Sequence, residues 1–274
     1  MTDNTQLNQT ILKTLWRDRF ERGLPTLPFD EVQFRQCSQN GEDGILLYLF
    51  TLLGTTNKKF LEICAGDGQQ CNTANLVINH GWKGLMLDGK EENIKSGRAF
   101  YAKHPDTLIW PPKFVHSWIT RDNINDLVML NGMSGDIDLL SIDLDGNDYW
   151  IFEALDVVNP RIIVTEYQAA FGADSAITQR YIEDFRITDS ARAGMPRVGA
   201  SLPALAKLAK KKGYRLVGCE RLCFNAFFVR EDIGQDVFPE VELSTCFLHQ
   251  MAQYRRHILE QNIAELDREF WIEV

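Results

Sequence analysis

The chain has 274 residues, 45% of them apolar and 11% aromatic, and a formal net charge of −9. That supplies one large core with additions rather than two full domains. The acidic balance argues against the basic face with which proteins grip nucleic acid, and the longest apolar stretch, at 45–53, is far too short for a transmembrane segment. The polar start, 1–10, lacks a signal-peptide core. Six cysteines, at 37, 64, 71, 219, 223 and 246, show no paired C-x-x-C spacing and suggest no zinc site. A soluble, cytoplasmic protein with reduced thiols is expected.

In chain order, Leu7, Ile11, Leu12, Leu15, Trp16 and Phe20 fall near one face at helical spacing and predict an amphipathic helix packed by that face. Pro25 and Pro28 break the chain. Ser38-Gln39-Asn-Gly-Glu-Asp43-Gly leads into a helix stopped by Gly54. Two readings stand for this stretch: it folds over a ligand, with Gln39 as a contact, or Ser38 or Asp43 caps the helix.

The apolar run 60–64 is too short for a helix and reads as a buried strand, followed by a turn freed by Gly66 and Gly68 and a helix over 73–80. Strand, glycine turn and helix open a doubly wound sheet, whose ligand is expected at the carboxyl ends of the strands. A dinucleotide fingerprint needs a third glycine where Cys71 stands. Glu62 opposes a pyrophosphate and suits a cation such as the amino group of S-adenosylmethionine. Twenty residues past Gly68, a second apolar run ends in Asp88 and Gly89. An acid there accepts both hydroxyls of a ribose, which either cofactor carries. Asp67 and Thr73, in the turn and at the helix start, are further candidate contacts.

The alternation continues with a helix near 91–102, a strand near 113–118 and a helix near 123–129. His116 and Ser117 stand at that strand's tip, where an adenine ring would lie, although a lone histidine in an apolar strand also reads as a core residue. The run Ile137-Asp-Leu-Leu-Ser-Ile-Asp143-Leu-Asp145-Gly-Asn-Asp148 is a buried strand with three carboxylates at its tip. Strand alternation places Asp143 and Asp145 on one side if the extension continues. Asp148 and Ala154 stand where an EF-hand needs glycine and glutamate, so that motif is rejected. The next strand ends in Glu166. Asp143 and Glu166 on adjacent tips predict a base for a hydroxyl, or a hard-cation site with Gln168 as a further oxygen ligand; loop carboxylates and helix caps are the alternative.

The stretch 169–200 reads as a lid or substrate loop in which Arg180, Arg186, Arg192 and Arg197 are balanced by Asp174, Glu183, Asp184 and Asp189. A helix over 201–212 ends in a lysine run that complements its dipole. Strands near 214–219 and 223–230, so closely linked, must be antiparallel. The tail from 243 reads as a long helix with Phe247, Met251, Tyr254, Ile258 and Leu259 on one face, packed on the core or against a second copy in a homodimer.

This order of elements resembles the Rossmann-like class I methyltransferase fold, an α/β architecture with a mostly parallel doubly wound sheet and an antiparallel last strand. Ser38-Gln-x-Gly-Glu-Asp-Gly, Phe60-Leu-Glu-x-x-Ala-Gly-Asp-Gly, Asp138-Leu-Leu-Ser-Ile-Asp-x-Asp-Gly-Asn-Asp-Tyr-Trp, Gly199-Ala-Ser-Leu-x-Ala-Leu and Gly213-Tyr-x-Leu-Val-Gly with Asn225-Ala-Phe-Phe-Val-Arg are similar to motifs of the FkbM-like methyltransferases, over about 38–232. The resemblance implies S-adenosylmethionine as cofactor and methyl transfer to a hydroxyl of a sugar, glycan or other small polyhydroxylated metabolite. It matches Glu62, Gly66 and Gly68 to the family's cofactor turn, Asp88 to its ribose acid, and Asp143 and Asp145 to its fourth-strand acidic motif. Cys64 departs from it, standing where glycine is the common choice. Some sugar O-methyltransferases of related fold use magnesium (Mg2+), for which Asp143, Glu166 and Gln168 are the candidate ligands here; without metal, Asp143 and Glu166 are the candidate catalytic carboxylates, Asp143 as the base. The chain then divides into an N-terminal helical extension (1–37), a methyltransferase domain (38–235) and a C-terminal helical tail (236–274) of one compact unit. Two rivals make different demands. An NAD-dependent oxidoreductase or epimerase predicts glycine at 71 and no acid at 62, and a non-catalytic nucleoside-binding module predicts loss of the strand-tip acids.

Overall fold

The computed structural model describes residues 4–186, 198–262 and 270–274. Its frame is a seven-stranded sheet of β1 (Lys59–Ile63), β2 (Lys83–Asp88), β3 (Lys113–His116), β4 (Gly135–Ile142), β5 (Val158–Glu166), β7 (Tyr214–Cys219) and β8 (Asn225–Arg230), in the order β3-β2-β1-β4-β5-β8-β7. β1 to β5 pair in parallel; β8 inserts between β5 and β7 and runs antiparallel to both. This is the class I methyltransferase arrangement expected from the order of elements, with the antiparallel last strand one place inside the edge.

Both faces of the sheet are covered, which is why its central strands are near-continuous apolar runs. Phe60, Met86, Ile162 and Val164 face one layer, built by α1 (Thr5–Glu21), α3 (Glu42–Leu53), α4 (Ala74–His80) and α5 (Glu91–Tyr101). Leu61, Ile63, Leu85, Leu87 and Ile163 face the other, built by α6 (Ile124–Leu130), α7 (Asp148–Ala154) and α8 (Leu202–Lys211). A short α2 (Phe29–Val32) links the first helix to the third. Chain direction around the sheet reverses between β1 and β4, so the crevice for a ligand opens at their carboxyl ends.

Local signals act as expected at several ends. α3 stops at Gly54 with φ +72, and Ser201 caps α8 by accepting from the Ala204 N–H at 3.2 Å. Lys210 and Lys211 sit in the last turn of α8, and the Lys212 ammonium donates to the Leu155 carbonyl at 2.9 Å.

Three expectations need correction. Of the apolar face proposed for α1, Trp16 is buried, edge-on to Tyr48 at 5.1 Å, while Leu7, Ile11 and Leu15 are 59%, 48% and 58% exposed. The inward line of α1 passes instead through Gln9, buried because its amide exchanges hydrogen bonds with Asn75 and meets His80 at 2.6 Å. The tail carries the expected helix, α9 (Gln250–Asn262), after a 3-10 stretch, but also a strand that was not expected, β9 (Trp271–Glu273), paired antiparallel with β6 (Ile177–Gln179). Tyr254 is 61% exposed, and the side chains of Ile258 and Leu259 lie outside the described residues. The 169–200 stretch therefore carries a strand that anchors it to the chain end; Asp189, Arg192 and Arg197 lie outside the described residues.

Candidate active site

β1 ends at Ile63, and Cys64 turns the chain with φ +62, in the left-handed region that favours glycine. Gly66 and Gly68 follow at φ +58 and +71. At Gly68 an added Cβ would sit 2.7 Å from the Phe114 ring, so the turn packs only as glycine; at Gly66 nothing lies within 4 Å, leaving open space over the backbone. Asp67 makes its own turn, accepting from the N–H and side-chain amide of Gln69 at 3.1 and 2.7 Å.

Glu62 points from β1 toward α4 and is almost wholly buried. The Ser141 hydroxyl donates to one of its oxygens at 2.6 Å and the Thr73 N–H to the other at 2.9 Å. Burial pushes the Glu62 carboxyl above its ordinary range, and donors from Ser141, Thr73 and Asn72 pull it partly back.

Glu62 is one wall of a cavity of about 110 Å³ whose lining includes Gln39, Glu42, Gly66, Asp143 and Asn225. Among the lining residues there is no lysine, arginine or histidine. Asn225, on β8, donates its amide N–H to Glu42 at 2.8 Å, while its Oδ1 is buried with no donor. Gln39 reaches this wall because Asp43 organises the preceding loop. The Asp43 carboxylate accepts the N–H groups of Gln36, Cys37 and Ser38 at 2.6–2.7 Å, and Ser38 Oγ in turn accepts the Asp43 N–H at 3.2 Å. The N-cap of α3 is Gly41 rather than Ser38 or Asp43, but Ser38 satisfies an N–H of the first turn, and Gln39 lies at the cavity wall.

The acids after β4 converge on a different pattern from the one predicted. The strand stops at Ile142 and Asp145 adopts φ +55, so alternation does not continue. The turn nonetheless brings carboxylate oxygens of Asp143, Asp145 and Glu166 within 4.8 Å of one another. Asp148 is structural: its carboxylate accepts the N–H groups of Leu144 and Gly146 at 2.7 and 3.0 Å and shapes this turn. Asp143 and Glu166 lie close enough for their titrations to be linked. Burial, and then the neighbouring carboxylates, push both well above the carboxylate range.

Gln168, two residues past Glu166, is engaged locally. Its amide oxygen accepts the Ala170 N–H at 3.3 Å, capping a short 3-10 turn. Asp145 takes the third place. Arg255 of α9 bears electrostatically on Glu166 while lying 3.7 Å over the Phe224 ring, a contribution of the tail that a core-stripe reading misses.

Asp88 closes the turn rather than lining the small cavity. It accepts from Gly66 N–H at 2.9 Å, Lys90 N–H at 2.8 Å and Asn93 Nδ2 at 3.0 Å. Beside it, His116 is exposed, its Nε2 3.2 Å from the Gly89 carbonyl, and the Ser117 hydroxyl donates to the Trp118 carbonyl at 3.2 Å. Asp88, Gly89, His116 and Ser117 thus stand together at the tips of β2 and β3, outside the acid-lined cavity. A larger cavity, about 600 Å³, lies past the β7–β8 turn, bounded by Phe29, Cys219, Cys223, Phe238 and Cys246.

No family model and no curated protein matches the chain. Among solved structures it is similar to an S-adenosylmethionine-dependent methyltransferase from Clostridium acetobutylicum (TM-score 0.44, 10% identity, 78% of this chain and 95% of that one). It is also similar to a putative caffeoyl-CoA O-methyltransferase from Staphylococcus aureus (0.42, 14%, 82% and 99%). A third is the N-terminal domain of EvdMO1 with S-adenosylhomocysteine bound (0.45, 13%, 79% and 94%). Among the described residues no helix is long and apolar enough to cross a membrane.

Proposed function

We propose that the chain is an S-adenosylmethionine-dependent O-methyltransferase acting on a hydroxyl of a sugar, glycan or other small polyhydroxylated metabolite. The observation that carries the cofactor reading is the cavity at the β1–β4 switch point, which offers the carboxylates of Glu42, Glu62 and Asp143 and the donorless Oδ1 of Asn225 without a single cationic side chain. Such a wall suits an ammonium group, which brings both charge and N–H donors, and repels a pyrophosphate. A volume of about 110 Å³ suits the amino-acid end of the cofactor. The nucleoside would be held outside it by Asp88, Gly89, His116 and Ser117.

When bound, the cofactor supplies an electrophilic methyl group on a sulfonium sulfur. The chain supplies alignment and a base. With a proton on one of Asp143 and Glu166, the carboxylate of the other is left to accept the hydroxyl proton of the acceptor. Burial and repulsion raise its basicity toward neutral pH, where a general base is most effective. Holding the acceptor oxygen in line accounts for much of the acceleration in such transfers. A magnesium ion on the oxygens of Asp143, Asp145 and Glu166 would instead supply a Lewis acid that lowers the hydroxyl's pKa.

Isothermal titration with S-adenosylmethionine and S-adenosylhomocysteine, with and without magnesium, tests this on the wild type and Glu62→Ala. Saturable binding by the wild type, weakened about tenfold or more in the variant, is expected for a lost charge-assisted contact. If the wild type binds neither ligand, the reading fails.

A further inference from the structure

At the opposite, amino edge of the sheet a second cavity, about 160 Å³, is lined by Lys13 and Arg17 of α1, Lys58 just before β1 and His80 at the end of α4. Its apolar wall includes Phe50 and Trp82, edge to face at 4.6 Å. Among the described residues no ion pair joins Lys13, Arg17 or Lys58 to a carboxylate. Three cations facing one cavity in a chain of net charge −9 are therefore not explained by pairing. They act on one another instead. Burial, then Lys58 and Arg17, lower the Lys13 ammonium, and burial, then Lys13 and Lys58, push His80 down to about 4.

The arrangement is held by buried groups. Lys58 adopts φ +54, and the N–H groups of Thr56, Asn57 and Lys58 all donate to the wholly buried carboxylate of Asp138. The strained conformation at Lys58 is thus over-determined by Asp138, a motif residue to which the methyl-transfer reading gives no role. The Lys58 ammonium donates to the His80 carbonyl at 3.1 Å, and His80 meets the buried Gln9 of α1. Cations from α1 and from the loop before β1 are in this way fixed around one space beside His80 of α4.

We propose that this cavity binds a phosphoryl group, carried by a small phosphorylated molecule or a lipid headgroup, as a second ligand site independent of the methyl-transfer cleft. A phosphoryl dianion presents several oxygens to several donors at once. The Arg17 guanidinium pairs with two of them in a fork, and Lys13 and Lys58 supply point charges. The volume admits the group with a few attached atoms. Binding relieves the repulsion among the cations and clamps α1 to α4 and to the loop before β1.

The test compares the wild type with a Lys13→Gln, Arg17→Gln double variant at fixed ionic strength. Inorganic phosphate and glycerol 3-phosphate are titrated against melting temperature, and phosphatidylcholine vesicles with and without phosphatidic acid are used in co-sedimentation. The expected result is a saturable rise in the wild-type melting temperature, with affinity about tenfold weaker or worse in the variant. Soaked tungstate is expected to give an anomalous peak in the cavity. A soluble source is indicated if the small phosphates bind and the vesicles do not; a lipid source, if wild-type co-sedimentation requires phosphatidic acid and is lost in the variant. Without ligand the variant is expected to melt at the same temperature or higher, because like charges have been removed, and this separates site loss from misfolding. Equal binding by both proteins, or no binding of any probe by the wild type, overturns the proposal.

Discussion

Asp138 and Asp143 lie on one strand and its tip, and they are opposites. Asp138 is wholly buried and well supplied with donors: the Thr56 N–H at 2.8 and 3.0 Å to its two oxygens and the N–H groups of Asn57 and Lys58, with the Arg161 guanidinium ion-paired to it, Nε at 3.3 Å. Asp143 faces other carboxylates and is held above the carboxylate range by burial and by them. The first is an acid the fold needs; the second is an acid the fold bears. The molecule repeats the contrast on a larger scale, with cations gathered at the amino edge of the sheet and acids at the carboxyl edge. What a carboxylate does is read from its partners, not from its burial.

The largest effect is expected from breaking the satisfied end. Asp138→Ala leaves three backbone N–H groups without their acceptor and the half-buried Arg161 without its ion partner, a loss of about 3–5 kcal/mol of folding stability. Urea denaturation measures it. A loss below about 1 kcal/mol would mean that water replaces the carboxylate there, and the contrast between the two acids would fail.

The unsatisfied end should respond in the other direction. Because Asp143 and Glu166 have values raised above those of an unfolded chain, the folded protein holds more protons than the unfolded one from about pH 4 up to the raised values. Stability of the ligand-free protein must fall as pH rises through that window. Its melting temperature is therefore expected to be lower at pH 8 than at pH 6. Asp143→Asn should flatten the slope and gain about 1 kcal/mol at pH 8, while methyl transfer is lost. A variant less stable than the wild type at pH 8 would show that Asp143 is structural after all.

Much of this contrast was legible before any coordinates. Apolar runs of five to nine residues, each followed by an acid or a glycine turn, mark β1, β2, β4 and β5 and their order. Glu62, Asp143 and Glu166 could be singled out because an acid ending a buried strand has no packing reason to be there. What the linear pattern hides is contact made through the third dimension. Asp145 reaches Asp143 and Glu166 only through the left-handed turn it makes, which the linear pattern does not show. Asn225 and Glu42 enter the cavity wall from elements 183 residues apart, visible beforehand only as members of motifs. The inward face of α1 differs from the apolar one for a related reason: hydrophobicity ranks Leu15 above Gln9, but Gln9 finds partners for its amide in Asn75 and His80, and so goes inside.

The smallest effect concerns strain, which brackets β1 at both ends. Non-glycine residues with positive φ stand at Lys58 just before the strand and at Cys64 just after it. Asp138 holds the first; no comparable acceptor holds the second, where Cys64 stands at the turn that shapes the acid-lined cavity. A left-handed conformation costs a side-chain-bearing residue about 1 kcal/mol or more relative to glycine. Burial, then Asp88, Asp148 and Asp143, keep the Cys64 thiol protonated, so replacing it removes no charge. Cys64→Gly is expected to stabilise the protein by about 1 kcal/mol, less a smaller loss of core contact, and to raise the melting temperature by about 2 °C. Cys64→Ala keeps the strain and loses the sulfur, so it should be neutral or slightly destabilising. If alanine stabilises as much as glycine, the turn is not strained and the thiol itself is the unfavourable group; if glycine also tightens S-adenosylhomocysteine binding, the residue that departs from the common pattern is limiting affinity at the very turn where the ligand is received.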